Sequence, residues 1–233
     1  MSEKLIVALD VEEIEKAENL VDSLIPYVKL FKVGSFLFTA EGPKVLDMVV
    51  RKGGKVFLDL KYCDIPNVVG NSVRMAQTHR VFSLTLSILG GRKMLEAAAS
   101  IRPRPLLWGV TILTSIDFPE MKELGISREI GEEVVALAKM AESAGLEGVV
   151  ASPLEIELIR KATRKDFLII TPGIRPLAQE KSLPDDQKRV MAPGEALRKG
   201  ADYIVVGRPI IEAPEPVGAV KAILQEIKTG KFK

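Results

Sequence analysis

The chain is predicted to be a single α/β domain folded as a closed (β/α)8 barrel of the TIM type. Two observations carry this expectation. Continuously apolar runs of strand length recur about eight times, and helical patterns stand between them. Strands that are apolar on both faces belong to parallel sheets covered by helices on either side. About eight such units in 233 residues suit one barrel. A third observation counts against the alternative, an open doubly wound sheet: Asp10-Val11-Glu12-Glu13 follows the first strand, where a Gly-rich dinucleotide fingerprint would be needed.

Taken in order, Leu5 to Leu9 reads as a buried strand closing on Asp10, and Ile14, Ala17, Leu20, Val21 and Leu24 recur at helical spacing. Tyr27 to Val33 is the second strand, and residues 36–50 are helix-like before Gly53-Gly54. The third strand centres on Val56-Phe57-Leu58, and its helix runs from about Asp64 towards Thr78, with Pro66 suiting the first turn. Val81 to Leu86 is the fourth strand, and Gly90-Gly91 opens a helix through Ala99. Leu106 to Leu113 is the fifth, with Thr114-Ser115 at its carboxyl end. Ile130, Val134, Leu137, Ala138 and Ala141 form an amphipathic helix stopped by Gly145. Gly148 to Ala151 is a brief sixth strand, after which Ser152-Pro153-Leu154-Glu155 reads as a capping box. Phe167 to Ile170 is the seventh strand, followed by a long polar loop and a short helix ending at Gly200. Tyr203 to Val206 is the eighth, and residues 217–227 form the closing helix.

Composition narrows the function classes. Hydrophobic residues make up 47% of the chain and aromatics only 5%, which favours an aliphatic core over an aromatic-rich binding surface. The 33 basic and 31 acidic residues leave a net charge of +2 with no block of one sign, so nothing points to nucleic acid or a membrane surface. No apolar run reaches the length of a membrane span. Cys63 is the one cysteine, which excludes an intramolecular disulfide and fits a reducing compartment. Asp10 interrupts the N-terminus too early for a signal peptide, and a cytoplasmic location is expected.

The chemistry concentrates in Val56 to Val68, VFLDLKYCDIPNV. Side chains alternate along a strand, so Asp59 and Lys61 point to one side with Leu60 on the other. Opposite charges on an apolar strand are costly to bury unless they pair. A salt-bridged core pair is one reading. The other places the pair, with Asp64 just beyond, at the carboxyl end of a barrel strand, where such barrels keep their active sites. The remaining strand ends present Asp10, Lys32, Thr114, Pro172-Gly173 and Gly207-Arg208, which would converge on the same mouth. In the last of these, Gly207 permits close backbone approach, Arg208 offers bidentate bonds and Pro209 starts a short helix, so the three suit an anion. The loop at about residues 172–192 is longer than a usual connection and reads as a lid. Cys63 has His79 as its sole conceivable imidazole partner, several turns along the same helix pattern, so it is not read as a nucleophile and His79 is read as a surface residue at a helix end.

The segment DLKYCDIPNV resembles the signature of the orotidine 5'-monophosphate decarboxylase family, D-x-K-x-x-D-I-P-N-T, and the likeness extends across most of the chain. The resemblance implies the barrel, a homodimer, no metal and no organic cofactor, with orotidine monophosphate as substrate and uridine monophosphate as product. It implies an alternating tetrad of Lys32, Asp59, Lys61 and Asp64, the last reaching the active site of the neighbouring subunit. Asp10 resembles the carboxylate that holds the ribose, and Thr114 with Ser115 the pyrimidine contact. Pro172, Arg175 and Gln187 match the phosphate-gripping loop, and Gly207 and Arg208 the closing phosphate site. Lys61 is then placed to stabilise negative charge at C6 and protonate that carbon, with Asp59 near the departing carboxylate.

The chain departs from the family pattern at Val68, where Thr is usual, at Cys63 and Ser87, where His is common, and at Ala192, where a Thr would cap the next helix. Each lost hydrogen bond costs on the order of 1 kcal/mol. Two other readings are a related barrel acting on sugar phosphates with magnesium, and a non-enzymatic nucleotide-binding barrel. The Ile65-Pro66-Asn67, Gly173-Ile174-Arg175-Pro176 and Asp186-Gln187-Lys188-Arg189 segments disfavour the first, and Lys61 beside two carboxylates the second.

Overall fold

In the computed structural model, which describes residues 2–176 and 190–229, eight parallel strands close into a barrel in sequence order. They are β1 Ser2–Ala8, β2 Val28–Gly34, β3 Lys55–Tyr62, β4 Ser83–Ser87, β5 Leu106–Val110, β6 Gly148–Val150, β7 Leu168–Thr171 and β8 Tyr203–Val206, with β8 pairing back onto β1. The open sheet is thereby excluded, since a closed ring has no edge strand.

The strands divide two cores. Ile6, Ala8, Leu30, Phe57, Trp108, Ile170 and Val205 point into the barrel, while Leu5, Val7, Leu9, Phe31, Val33, Val56 and Leu58 face the surrounding helices. Period-two alternation thus survives inside runs that look uniformly apolar. Four aromatics meet in the interior: the Trp108 ring centroid lies 4.6 Å from that of Phe57, 5.5 Å from Tyr203 and 6.3 Å from Phe82. This cluster plugs the barrel, and Phe57 forms the floor of the cavity above it.

The helices follow the predicted rhythm, with four corrections. Residues 36–50 form two helices, α2 Ser35–Glu41 and α3 Lys44–Arg51, because Gly42 takes φ +64 and Pro43 cannot continue a helix across it. Helix α1 spans Ile14–Leu24, α4 Pro66–Thr78 and α5 Arg92–Ser100. The fifth strand stops at Val110 rather than Leu113, and Thr111 to Thr114 run on as irregular chain across the barrel mouth. An unanticipated helix, α6 Phe118–Glu123, follows, held by a reciprocal capping box between Asp117 and Glu120. The capping box expected at Ser152 does not form. Residues 152–155 make a turn instead, with Glu155 N–H donating to Ser152 O, and the next helix, α8, spans only Ile156–Ala162. Helices α7 Ile130–Ser143, α9 Pro193–Lys199, α10 Arg208–Ile211 and α11 Pro216–Thr229 complete the ring. Gly200 closes α9 in the left-handed conformation, as its place after Lys199 suggests. Among the described residues, no helix is long and apolar enough to cross a membrane.

Candidate active site

The carboxyl ends of the strands surround a cavity of about 290 Å³. Its lining includes Asp10 after β1, Lys32 on β2, Asp59 and Lys61 on β3, Thr114 after β5, Pro172, Gly173 and Arg175 after β7, and Gly207 and Arg208 after β8. Residues scattered over some 200 positions meet because every parallel strand delivers its last inward side chain to the same end.

Strand register explains how the charges reach one another. Lys32 pairs with Ala8 on one side and Phe57 on the other, one layer below Asp10 and Asp59. Its four-carbon stem climbs from that layer, bringing Nζ to 2.8 Å from Asp10 Oδ1 and 3.9 Å from Asp59 Oδ2. Gly34, paired with Asp59, leaves the space the ammonium needs: a Cβ there would stand 2.9 Å from Lys32 Nζ. Lys61 Nζ lies 3.1 Å from the same Asp59 oxygen. The Asp59 carboxylate is therefore flanked by two ammonium groups on Oδ2, while Oδ1 accepts a 2.9 Å hydrogen bond from the Thr85 hydroxyl. Lys32 and Asp59 are largely buried and Asp10 and Lys61 half open to the cavity, so the cluster is shielded below and accessible above.

Leu60 packs against the helix-side core while Asp59 and Lys61 face the cavity, as alternation requires. What alternation does not foretell is the backbone of Lys61, held at φ +50. Positive φ is costly for a residue with a Cβ, of order 1–2 kcal/mol. Here the left-handed residue lies in the irregular end of β3, one position before Tyr62 pairs again with Leu86 of β4.

Asp64 does not join the cavity of its own chain. It is solvent-exposed, its carboxylate accepts the Ile65 N–H at 2.6 Å, and it stands beside exposed Ile65 and Val68. Ser115 is exposed and outside the lining, whereas Thr114 is within it. Arg175 is 8% exposed and is fixed by a short bridge in which its N–H donates to Met191 O and the Met191 N–H to Gly173 O. The chain before residue 177 and the chain after residue 189 are thus tied together beside the cavity, while Gln187 and the rest of residues 177–189, where the lid was expected, lie outside the described residues. Cys63 is exposed at a separate side pocket. The His79 ring, capping α4, contacts Asp47 at 3.1 Å and takes no part in the cavity.

Two contributors were not foreseen. Thr85 is buried under Asp59, and its signal was the polar alternation of Ser83-Leu84-Thr85-Leu86-Ser87 within an otherwise apolar strand. Ser152 lines the cavity because the chain turns there instead of starting a helix. Among the described residues no three His, Cys, Asp or Glu side chains group as metal ligands.

Two lysines and two carboxylates interleaved at the mouth of a (β/α)8 barrel, with Arg175 and Arg208 in the same lining, have the charge pattern and the place in the fold of an enzyme site suited to an anionic ligand. The family model described as "Orotidine 5'-phosphate decarboxylase / HUMPS family" matches residues 3–223, and the chain belongs to that family. The Orotidine 5'-phosphate decarboxylase of Moorella thermoacetica is 48% identical over 239 residues, covering 98% of this chain and 94% of the relative. That of Geotalea uraniireducens is 48% identical over 231 residues, with 96% and 95% covered. Among solved structures, Orotidine 5'-phosphate decarboxylase from Lactobacillus acidophilus superposes with a TM-score of 0.85 at 34% identity, covering 98% of this chain and all of that one.

Proposed function

We propose that this chain decarboxylates orotidine 5'-monophosphate to uridine 5'-monophosphate and CO2, as a step of pyrimidine biosynthesis. Its class, a carboxy-lyase of the orotidine 5'-phosphate decarboxylase type, follows from the family and from relatives of that name. The mechanism rests on one observation: Lys61 Nζ and Lys32 Nζ both approach the same oxygen of Asp59 at the cavity floor. As the bond from C6 to the carboxylate breaks, CO2 leaves and the electron pair stays on C6. The Lys61 ammonium stabilises that pair and then passes it a proton. Asp59 orients Lys61 and sits near the departing carboxylate. Lys32 holds Asp59 and Asp10 in place, and Asp10 binds the ribose. Thr114 serves the pyrimidine, Ser115 lying outside the cavity, and Pro172, Arg175, Gly207 and Arg208 serve the phosphate, joined by Gln187 from the lid at about 172–192. Binding energy from the remote phosphate then contributes at the reacting carbon.

The exposed Asp64, with Ile65 and Val68 beside it, supports a homodimer in which Asp64 completes the partner's site. No metal or organic cofactor enters this mechanism, and the single cysteine fits a cytoplasmic protein. Incubation with orotidine monophosphate and a chelator tests the reading. Release of uridine monophosphate and CO2, undiminished by the chelator, is expected. A requirement for magnesium would point to a sugar-phosphate reaction, and binding without turnover to a non-enzymatic barrel.

A further inference from the structure

We infer that Thr85 is a positioning residue whose single hydroxyl sets both the Asp59 carboxylate and the Lys61 backbone, an inference that rests on the decarboxylase reading above. The register of β3 on β4 shows why one is needed. Leu58 pairs with Leu84 and Tyr62 with Leu86, so β3 places Asp59, Leu60 and Lys61 opposite the single residue Thr85. A bulge of this size breaks the ladder at the two residues that carry the charges. Thr85 closes it with its side chain. The Lys61 N–H, left without a strand carbonyl, donates to Thr85 Oγ1 at 2.8 Å, and that hydroxyl donates to Asp59 Oδ1 at 2.9 Å.

Both directions are fixed by chemistry. A backbone N–H can only donate and an ionised carboxylate can only accept, so the hydroxyl proton lies on Asp59 and an oxygen lone pair receives Lys61. Thr85 is fully buried, so no water can substitute without a rearrangement. Burial alone does not create such contacts. Ser83, two residues earlier and equally buried, has a hydroxyl with no hydrogen-bond partner among the described residues. Holding Oδ1 fixes the rotation of the carboxylate and so keeps Oδ2 aimed at the two ammonium groups. Holding the Lys61 N–H supports the left-handed backbone from which its side chain departs.

The consequence is a kinetic separation. Thr85 lies outside the cavity lining that holds Asp10 and the arginines proposed for phosphate, so its loss should reach the chemical step and spare binding. Thr85→Val keeps the shape and removes the hydroxyl, and Thr85→Ser restores it. Thr85→Val is expected to lower kcat by about 10- to 100-fold, the worth of a hydrogen bond to a charged group, with KM and uridine monophosphate affinity within about threefold of the parent. Thr85→Ser is expected to retain kcat within about threefold. Unchanged kcat in Thr85→Val, equal loss in both variants, or a loss confined to KM would each overturn the inference. If Thr85→Val does not fold, Thr85→Cys, whose thiol is a weak donor of similar size, gives the same reading: a fall of about tenfold supports the role and parental kcat refutes it. An inactive parent protein would defeat the proposed reaction instead, which keeps the two failures apart.

Discussion

Replacing Lys61 with Ala separates catalysis from folding, because the surroundings of Lys61 make its two losses very unequal. For stability, the side chain is 37% exposed and Asp59 keeps Lys32 at 3.9 Å and the Thr85 hydroxyl at 2.9 Å after truncation. The lost ion pair is then of the half-exposed kind, worth about 1 kcal/mol. The backbone strain at φ +50 is nearly unchanged, since Ala carries a Cβ as Lys does. A loss of about 1 kcal/mol lowers Tm by roughly 2–4 °C in a domain of this size. For the reaction, the variant lacks both a proton donor, typically worth about 10²–10⁴-fold, and a charge placed where the transition state becomes negative, worth about 10²–10³-fold. Together kcat is expected to fall by about 10⁴-fold or more. Uridine monophosphate release from orotidine monophosphate measures the first quantity, and thermal unfolding by circular dichroism the second. Turnover above roughly 1% of the parent in a folded Lys61→Ala protein would refute the role given to this lysine.

Three further outcomes follow from named contacts. Mixing Lys61→Ala with Asp64→Ala chains is expected to recover about a quarter of the parental activity, because half the randomly formed dimers are hybrids with one intact site of two. No recovery after confirmed subunit exchange would place Asp64 outside the shared site. Gly34→Ala puts a methyl 2.9 Å from Lys32 Nζ and 3.3 Å from Asp10 Oδ1, while its φ of −91° remains accessible to Ala. It is expected to lower kcat/KM by at least about tenfold with little change in Tm, and parental kinetics would show that the lysine finds another path. Burial raises the tyrosine pKa values of Tyr62 and Tyr203 above their ordinary value, with Asp202 and Glu3 adding to the effect at Tyr203. The neutral hydroxyls are therefore favoured by folding. Their contribution is fully present below the unfolded pKa of about 10 and is lost as pH rises through the folded values. Denaturation midpoints measured from pH 9 to 11 should fall, and less steeply in a Tyr62→Phe/Tyr203→Phe variant. An equal slope in both proteins would contradict the assignment.

Much of the site was legible in the chain because the relevant rules are local. Alternation along β3 sufficed to put Asp59 and Lys61 on one face, and the repeated order of apolar run and helix sufficed to bring Asp10, Lys32, Thr114 and Arg208 to one mouth, while Arg175 was legible only through the family resemblance. The errors were also local, and they arose where two signals competed. In the stretch of residues 36–50, helical periodicity concealed the break at Gly42-Pro43. At Ser152 a capping pattern was present in the letters, yet the chain makes a turn there that lines the cavity, while the box that does form lies at Asp117 and Glu120.

The sequence alone determined the barrel through its periodicity and the identity of the charged groups through side-chain type, and the motif DLKYCDIPNV carried the family resemblance. Only the tertiary structure decided how the charges are held. The left-handed backbone at Lys61, the two-residue mismatch between β3 and β4, and the hydroxyl of Thr85 that closes it arise from the pairing of segments some twenty-five residues apart. A strand's own letters carry its alternation, but they say nothing of where its neighbour runs short. That mismatch is a property of two strands together, and Asp59 and Lys61, 3.1 Å apart, both lie within it.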